Sequence, residues 1–147
     1  MSKAFAIPTF DDLETMARTV FGEARGEPAA GQLAVAWVIL NRWRSGTWFA
    51  GKTIAETCRK HSPKGIHQFS CWNEGDPTRA RMESAGWNEP ALRRAADATL
   101  AALSGLAPDP TKGAAHYHAD TIPAPVWARG KTPSAVIGRH RFFVGIA

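Results

Sequence analysis

Over the first two thirds of the chain, apolar and polar residues alternate with the period of a helix. Thr9-Phe10-Asp11-Asp12 follows Pro8 as a Thr-x-x-acid capping box, and behind it Leu13, Met16, Ala17, Val20, Phe21 and Ala24 recur three and four residues apart. This spacing predicts a first helix, with Gly26 placed to close it in the left-handed conformation. Glu27-Pro28 then reads as a cap followed by a first-turn proline. The second helix runs from Pro28 to about Arg44 and ends at Ser45-Gly46. It is apolar nearly all round from Leu33 to Leu40, which marks it as the buried central helix.

Thr53-Ile54-Ala55-Glu56 is another capping box and opens a short helix. From His61 to Gly75 the helical period disappears, leaving a loop or hairpin. Asp76-Pro77 starts a further short helix. Asn88-Glu89-Pro90 starts an alanine-rich one with Leu92, Ala96, Thr99, Leu100 and Leu103 on one face and Gly105 as its stop. Beyond Ala107, Pro and Gly dominate and short strands are expected, the last over Arg141-Phe142-Phe143-Val144. With no internal repeat and no linker, the pattern describes one α+β, mainly α-helical domain over residues 1–147. A small loop- and β-rich part lies at its C-terminal end.

Composition agrees with one core: 147 residues with 44% hydrophobic content are enough to fold around it without cross-links. Leu33 to Leu40 is the longest apolar run, far below the roughly twenty residues that span a bilayer, and MSKAFAIPTFDD lacks the apolar core of an export signal. Eighteen Lys and Arg against thirteen Asp and Glu give a net charge of +5. Nucleic acid, anionic lipid and acidic wall polymer all fit that sign. The basic pairs (Arg42/Arg44, Arg59/Lys60, Arg79/Arg81, Arg93/Arg94, Arg139/Arg141) are spread over the chain and no nucleic-acid motif accompanies them, so nucleic acid is not the expected partner. Six tryptophans are more informative, since amphipathic rings are favoured in cores and in clefts that stack on flat ligands.

Cys58 and Cys71 allow one disulfide or two buried thiols. With His61 and His67 they form Cys-x2-His and His-x3-Cys, and His116, His118 and His140 make a second set. The long middle spacing fits no zinc finger, and neither a metal nor a cofactor is expected. On a strand, His116 and His118 would share the face opposite Tyr117.

Glu23 is the polar residue most at odds with its place. Stepping about 100° per residue from Leu13, the apolar stripe centres near roughly 20° and Glu23 falls near roughly 280°, at the border of the buried face. It also occupies the last helical turn, where the dipole disfavours a carboxylate. Both effects favour the protonated form, which a general acid needs near neutrality. The competing account is a solvated glutamate paired with Arg25 or Arg42.

Phe21-Gly22-Glu23-Ala24-Arg25-Gly26-Glu27-Pro28, then Gly31-Gln32-Leu33-Ala34-Val35-Ala36 and Val38-Ile39-Leu40-Asn41-Arg42, resemble the opening signature of the SleB/CwlJ-type cell-wall hydrolases. Gln68-Phe69-Ser70-Cys71-Trp72, Gly113-Ala114-Ala115-His116-Tyr117 and Ile137-Gly138-Arg139-His140-Arg141-Phe142-Phe143 resemble later motifs of that family, in the same order. The resemblance spans about residues 16 to 143. It implies a lysozyme-like catalytic domain that cleaves the β-1,4 bond between N-acetylmuramic acid and N-acetylglucosamine in peptidoglycan glycan strands.

Carried over by position, Glu23 matches the family's catalytic acid and Glu27 the second acid of the motif, although Glu27 also fits as a helix cap. Gln68, Phe69, Ser70 and Trp72 would form the substrate-binding segment opposite the acid, and Tyr117 would face it across the cleft. Tyr117 also fits as a core ring with its hydroxyl satisfied. Ordinary glycoside hydrolysis needs two carboxylates about 5 to 9.5 Å apart. With only Glu23 securely placed, and Glu27, Glu74, Asp76 and Asp120 as candidates for a second acid, lytic transglycosylation is favoured over a water-using muramidase. A monomeric phage or prophage endolysin, held in the host cytoplasm until a holin opens the inner membrane, is the setting this reading implies.

Overall fold

The computed structural model describes residues 7–147. Helix α1 (Phe10–Ala24) opens on the expected capping box: Thr9 N–H donates to Asp12 Oδ2 at 2.9 Å and Asp12 N–H to Thr9 Oγ1 at 3.2 Å. Asp12 is itself buried, because its second oxygen accepts Ala55 N–H at 2.9 Å and so ties α3 (Ile54–Cys58) to α1.

Helix α2 (Ala29–Ser45) is the central one, with Ala34, Val35, Ala36, Val38, Ile39 and Leu40 all fully buried, and Gly46 closes it at φ 65°. Two expectations at its start fail. Gly26 is not left-handed, since α1 ends on Arg25 in a right-handed conformation. Glu27 is not a helix cap either, because Pro28 holds that position and the Glu27 carboxylate is engaged elsewhere.

Helices α4 (Pro77–Ser84) and α5 (Pro90–Ser104) follow, with Asp76 capping α4 through Thr78 N–H and Gly105 closing α5 at φ 72°. The face α5 buries is Leu92, Ala95, Thr99 and Ala102, and Leu100 is 52% exposed. Small residues on that stripe let α5 lie against both α1 and α2.

The C-terminal part forms an antiparallel sheet of β1 (His116–Ala119), β2 (Ala135–Ile137) and β3 (His140–Phe143), in the order β1-β3-β2. The last strand begins one residue earlier than its hydrophobic run and stops before Val144. The described residues thus form an α+β, mainly helical fold.

Candidate active site

Asn41 and Arg42, at the end of the buried helix α2, hold the sheet against the helices. Asn41 Nδ2 donates to Ala114 O and to Asp109 Oδ2, both at 2.9 Å, and Arg42 Nε donates to Ala115 O at 2.6 Å. These bonds fix the approach to β1. In β1, His116 and His118 turn to one side, against Trp127 and Phe143, while Tyr117 turns to the other. There its hydroxyl donates to Glu23 Oε1.

The second Glu23 oxygen is held from the opposite wall. A 3-10 turn over Ser70–Trp72 presents Cys71 N–H, which donates to Glu23 Oε2 at 3.2 Å. Gly22 makes this approach feasible, because a Cβ there would meet Cys71 Cβ and Met82 Sδ at 2.8 Å. The carboxyl of Glu23 is therefore oriented by a strand on one side and a turn on the other, in the lining of a cleft of about 410 Å³.

Arg42, Gln68, Ser70, Tyr117, Trp127 and His140 are among the residues that line this cleft with Glu23. Glu23 is its sole carboxylate among the described residues. Arg42 is only 4% exposed, and its guanidinium lies over Phe69, 4.6 Å from the ring centroid. Burial lowers its pKa, opposed by the charges of Tyr117 and Glu23, and it stays a cation. Its Nη1 has no hydrogen-bond partner. Tyr117 is pushed well above its ordinary value by burial and by Glu23, so it remains a proton donor. The Cys71 thiol is raised by burial and by Glu23, and burial pushes Cys58 up to about 12.

The structure brings Glu23, Gln68, Ser70 and Tyr117 together, but not Phe69 and Trp72. Phe69 is 1% exposed and forms the floor under Arg42. Trp72 is 8% exposed and donates through Nε1 to Thr19 Oγ1 at 3.0 Å inside the core. Phe69 and Trp72 are three residues apart and so share the inward face of the 3-10 turn, whereas Gln68 and Ser70 face the cleft.

Glu27 is not in the cleft lining. Its Oε1 accepts Arg139 N–H at 2.7 Å in the two-residue turn between β2 and β3 and lies 3.6 Å from His140 Nδ1. Gly138 opens that turn at φ 58°, and a Cβ there would come within 2.7 Å of the same oxygen. Of the remaining acids, Glu74 and Asp76 line a separate groove with Arg79, and Asp120 is exposed. Arg25 lies over the Phe21 ring, and no ion pair within 4.0 Å joins Glu23 to Arg25 or Arg42 among the described residues.

Both cysteines are free and buried. Among the described residues no group of three or more His, Cys, Asp and Glu side chains is placed to hold a metal ion. Sequence reasoning missed Arg42, Trp127 and His140 as cleft residues. Arg42 carried a signal, a charged residue at the end of an almost wholly apolar helix.

The pattern of the Cell Wall Hydrolase family matches residues 26–143. The chain belongs to that family. Glu23 lies just before the matched residues, but similarity to individual members extends over 90% of the chain. Spore cortex-lytic enzymes of Halalkalibacterium halodurans and Oceanobacillus iheyensis are 32% and 33% identical to it over 132 residues. That of Bacillus subtilis is 31% identical over 137. The chain spans only 34% to 41% of the length of these relatives. Among solved structures, the catalytic domain of Bacillus cereus SleB superposes with a TM-score of 0.68 at 29% identity, covering 92% of this chain and 91% of that one. The catalytic domain of the germination-specific lytic transglycosylase SleB from Bacillus anthracis gives the same TM-score and identity, covering 91% and 94%. This member of the family therefore has the SleB catalytic-domain fold.

Proposed function

We propose that this cell wall hydrolase is a peptidoglycan-degrading glycosidase that cleaves the MurNAc-GlcNAc β-1,4 bond as a lytic transglycosylase, with Glu23 as both acid and base. The observation that carries this reading is a cleft whose lining holds one carboxylate, oriented by two donors, while Glu27 is engaged at the β2–β3 turn and Glu74 and Asp76 line another groove. The Bacillus anthracis relative is a lytic transglycosylase, which supports the reading further.

In the first step the Glu23 carboxyl gives its proton to the glycosidic oxygen, the C1–O bond breaks, and the GlcNAc alcohol leaves. In the second, the muramic 6-hydroxyl attacks C1 while the Glu23 carboxylate takes the hydroxyl proton. A 1,6-anhydro ring closes and the acid is regenerated. Tyr117 and Cys71 N–H keep the carboxyl aimed through both steps, and the Arg42 cation supplies a nearby positive charge once the carboxyl is ionised. No activated water enters, so no second carboxylate is needed.

Mass spectrometry of muropeptides released from sacculi tests the reading. Products should end in 1,6-anhydro-muramic acid, lighter by one water than hydrolytic ones. Reducing muramic ends alone would make the protein a muramidase and require a second acid.

A further inference from the structure

Gln68 lines two depressions at once. On one side is the Glu23 cleft, and on the other a groove of about 510 Å³ walled by Trp48, Lys60, His61, Ser62 and Pro63. The shared wall is held firmly: Gln68 N–H donates to Lys60 O at 2.9 Å, and a single antiparallel bridge joins His61 to His67. Lys60 and Gln68 are therefore fixed side by side where the two depressions adjoin.

Trp48 stands in the outer depression as an anchored yet uncovered ring. It is 62% exposed, and its neighbour Phe49 is 2% exposed, wedged beside Arg42 and His116. Phe49 meets the Trp48 ring edge-on, with centroids 5.5 Å apart and planes at 74°. The loop beneath is pinned by Ala50 N–H on Thr47 O at 2.9 Å and by a 2.9 Å bond between the Ser45 and Thr47 hydroxyls. Trp127 lines the Glu23 cleft as well. Tryptophans thus line the depressions on both sides of Gln68, an arrangement suited to a long ligand with repeating flat faces.

We propose that the glycan groove continues past Gln68 and that Trp48 stacks on an N-acetylhexosamine ring of the same strand, outside the four sugars centred on the cleaved bond. A pyranose offers an apolar C–H face to the indole, and its hydroxyls and acetamide match the Gln68 amide and Lys60 ammonium at the rim. The inference rests on the glycosidase reading above.

Cleavage of peptide-free glycan strands, long ones against tetrasaccharides, tests it for the wild type, Trp48→Ala and Trp48→Phe. Trp48→Ala should raise KM on long strands about tenfold and leave tetrasaccharide turnover unchanged, and Trp48→Phe should recover most of the loss. Long strands that still carry peptide stems should show the same penalty. Equal losses on both lengths, no loss on long strands, or a penalty confined to stem-bearing strands would overturn the proposal; the last would assign the groove to the peptide. A wild type inactive on every strand would instead remove the glycosidase reading on which the proposal rests.

Discussion

The last turn of α1 and the connector that follows it carry the same acid four residues apart and put it to opposite uses. Glu23 faces an open cleft and has one donor on each oxygen, from β1 and from the Ser70–Trp72 turn. Glu27 is turned away, its side chain 9% exposed, with Oε1 on the backbone of the β2–β3 turn. The second acid helps to place the first one's partner, because β3 pairs with β1 and sets Tyr117 opposite Phe142. What separates the two glutamates is what the rest of the fold brings to each of them, since residue type and motif are shared.

Glu23→Gln should give the largest effect and the sharpest contrast. The amide keeps the size of the side chain but delivers no proton, so muropeptide release should fall at least ~100-fold with the melting temperature nearly unchanged. Comparable loss in Glu27→Gln at equal folded fraction would erase the distinction between the two acids.

Acid should strain the sheet side through its buried imidazoles. Burial, then the charge of Arg42, lowers His116 from its ordinary 6.5 to about 4. The unfolded chain therefore takes up a proton before the folded one, and stability is lost as pH falls from about 6.5 towards about 4, by roughly 3 kcal/mol at most. His140, lowered by burial against the charges of Glu27, Glu23 and Asp120, adds to the same slope. Chemical denaturation across this range should show the decline, and His116→Phe should flatten its share.

Glu27→Ala should cost about 1 to 3 kcal/mol by removing the acceptor of Arg139 N–H and the side chain packed against Gly138. Glu27→Gln, which keeps an oxygen there, should recover most of that loss in thermal melts. The smallest expected effect belongs to Tyr117→Phe: about a tenfold drop in turnover, the worth of one charge-assisted hydrogen bond, with the ring packing kept. Lower stability with normal specific activity would return Tyr117 to a purely structural role.

The helical half was legible because its signals are local. Thr9 and Asp12 cap α1, the Leu33 to Leu40 run is buried, and Gly46 and Gly105 end their helices as their positions imply. The site was legible in part. Glu23 was marked by its place at the border of a stripe, and Gln68, Ser70 and Tyr117 by resemblance. Phe69 and Trp72 were misplaced because period alone does not say which way a three-residue turn points its rings. Glu27 resembled a cap because its true partner, Arg139, lies 112 residues away. His140 was hidden for the same reason: its place beside Tyr117, with ring centroids 4.8 Å apart, depends on strand pairing that no local spacing encodes.

Digestion of sacculi by the wild type in heavy-oxygen water tests most directly whether one carboxylate does the work of acid and base. Ring closure by the 6-hydroxyl takes no oxygen from solvent, so the released muropeptides should be unlabelled and end in anhydro-muramic acid. Heavy oxygen at a reducing muramic C1 would mean that water is the nucleophile and would contradict the single-acid account.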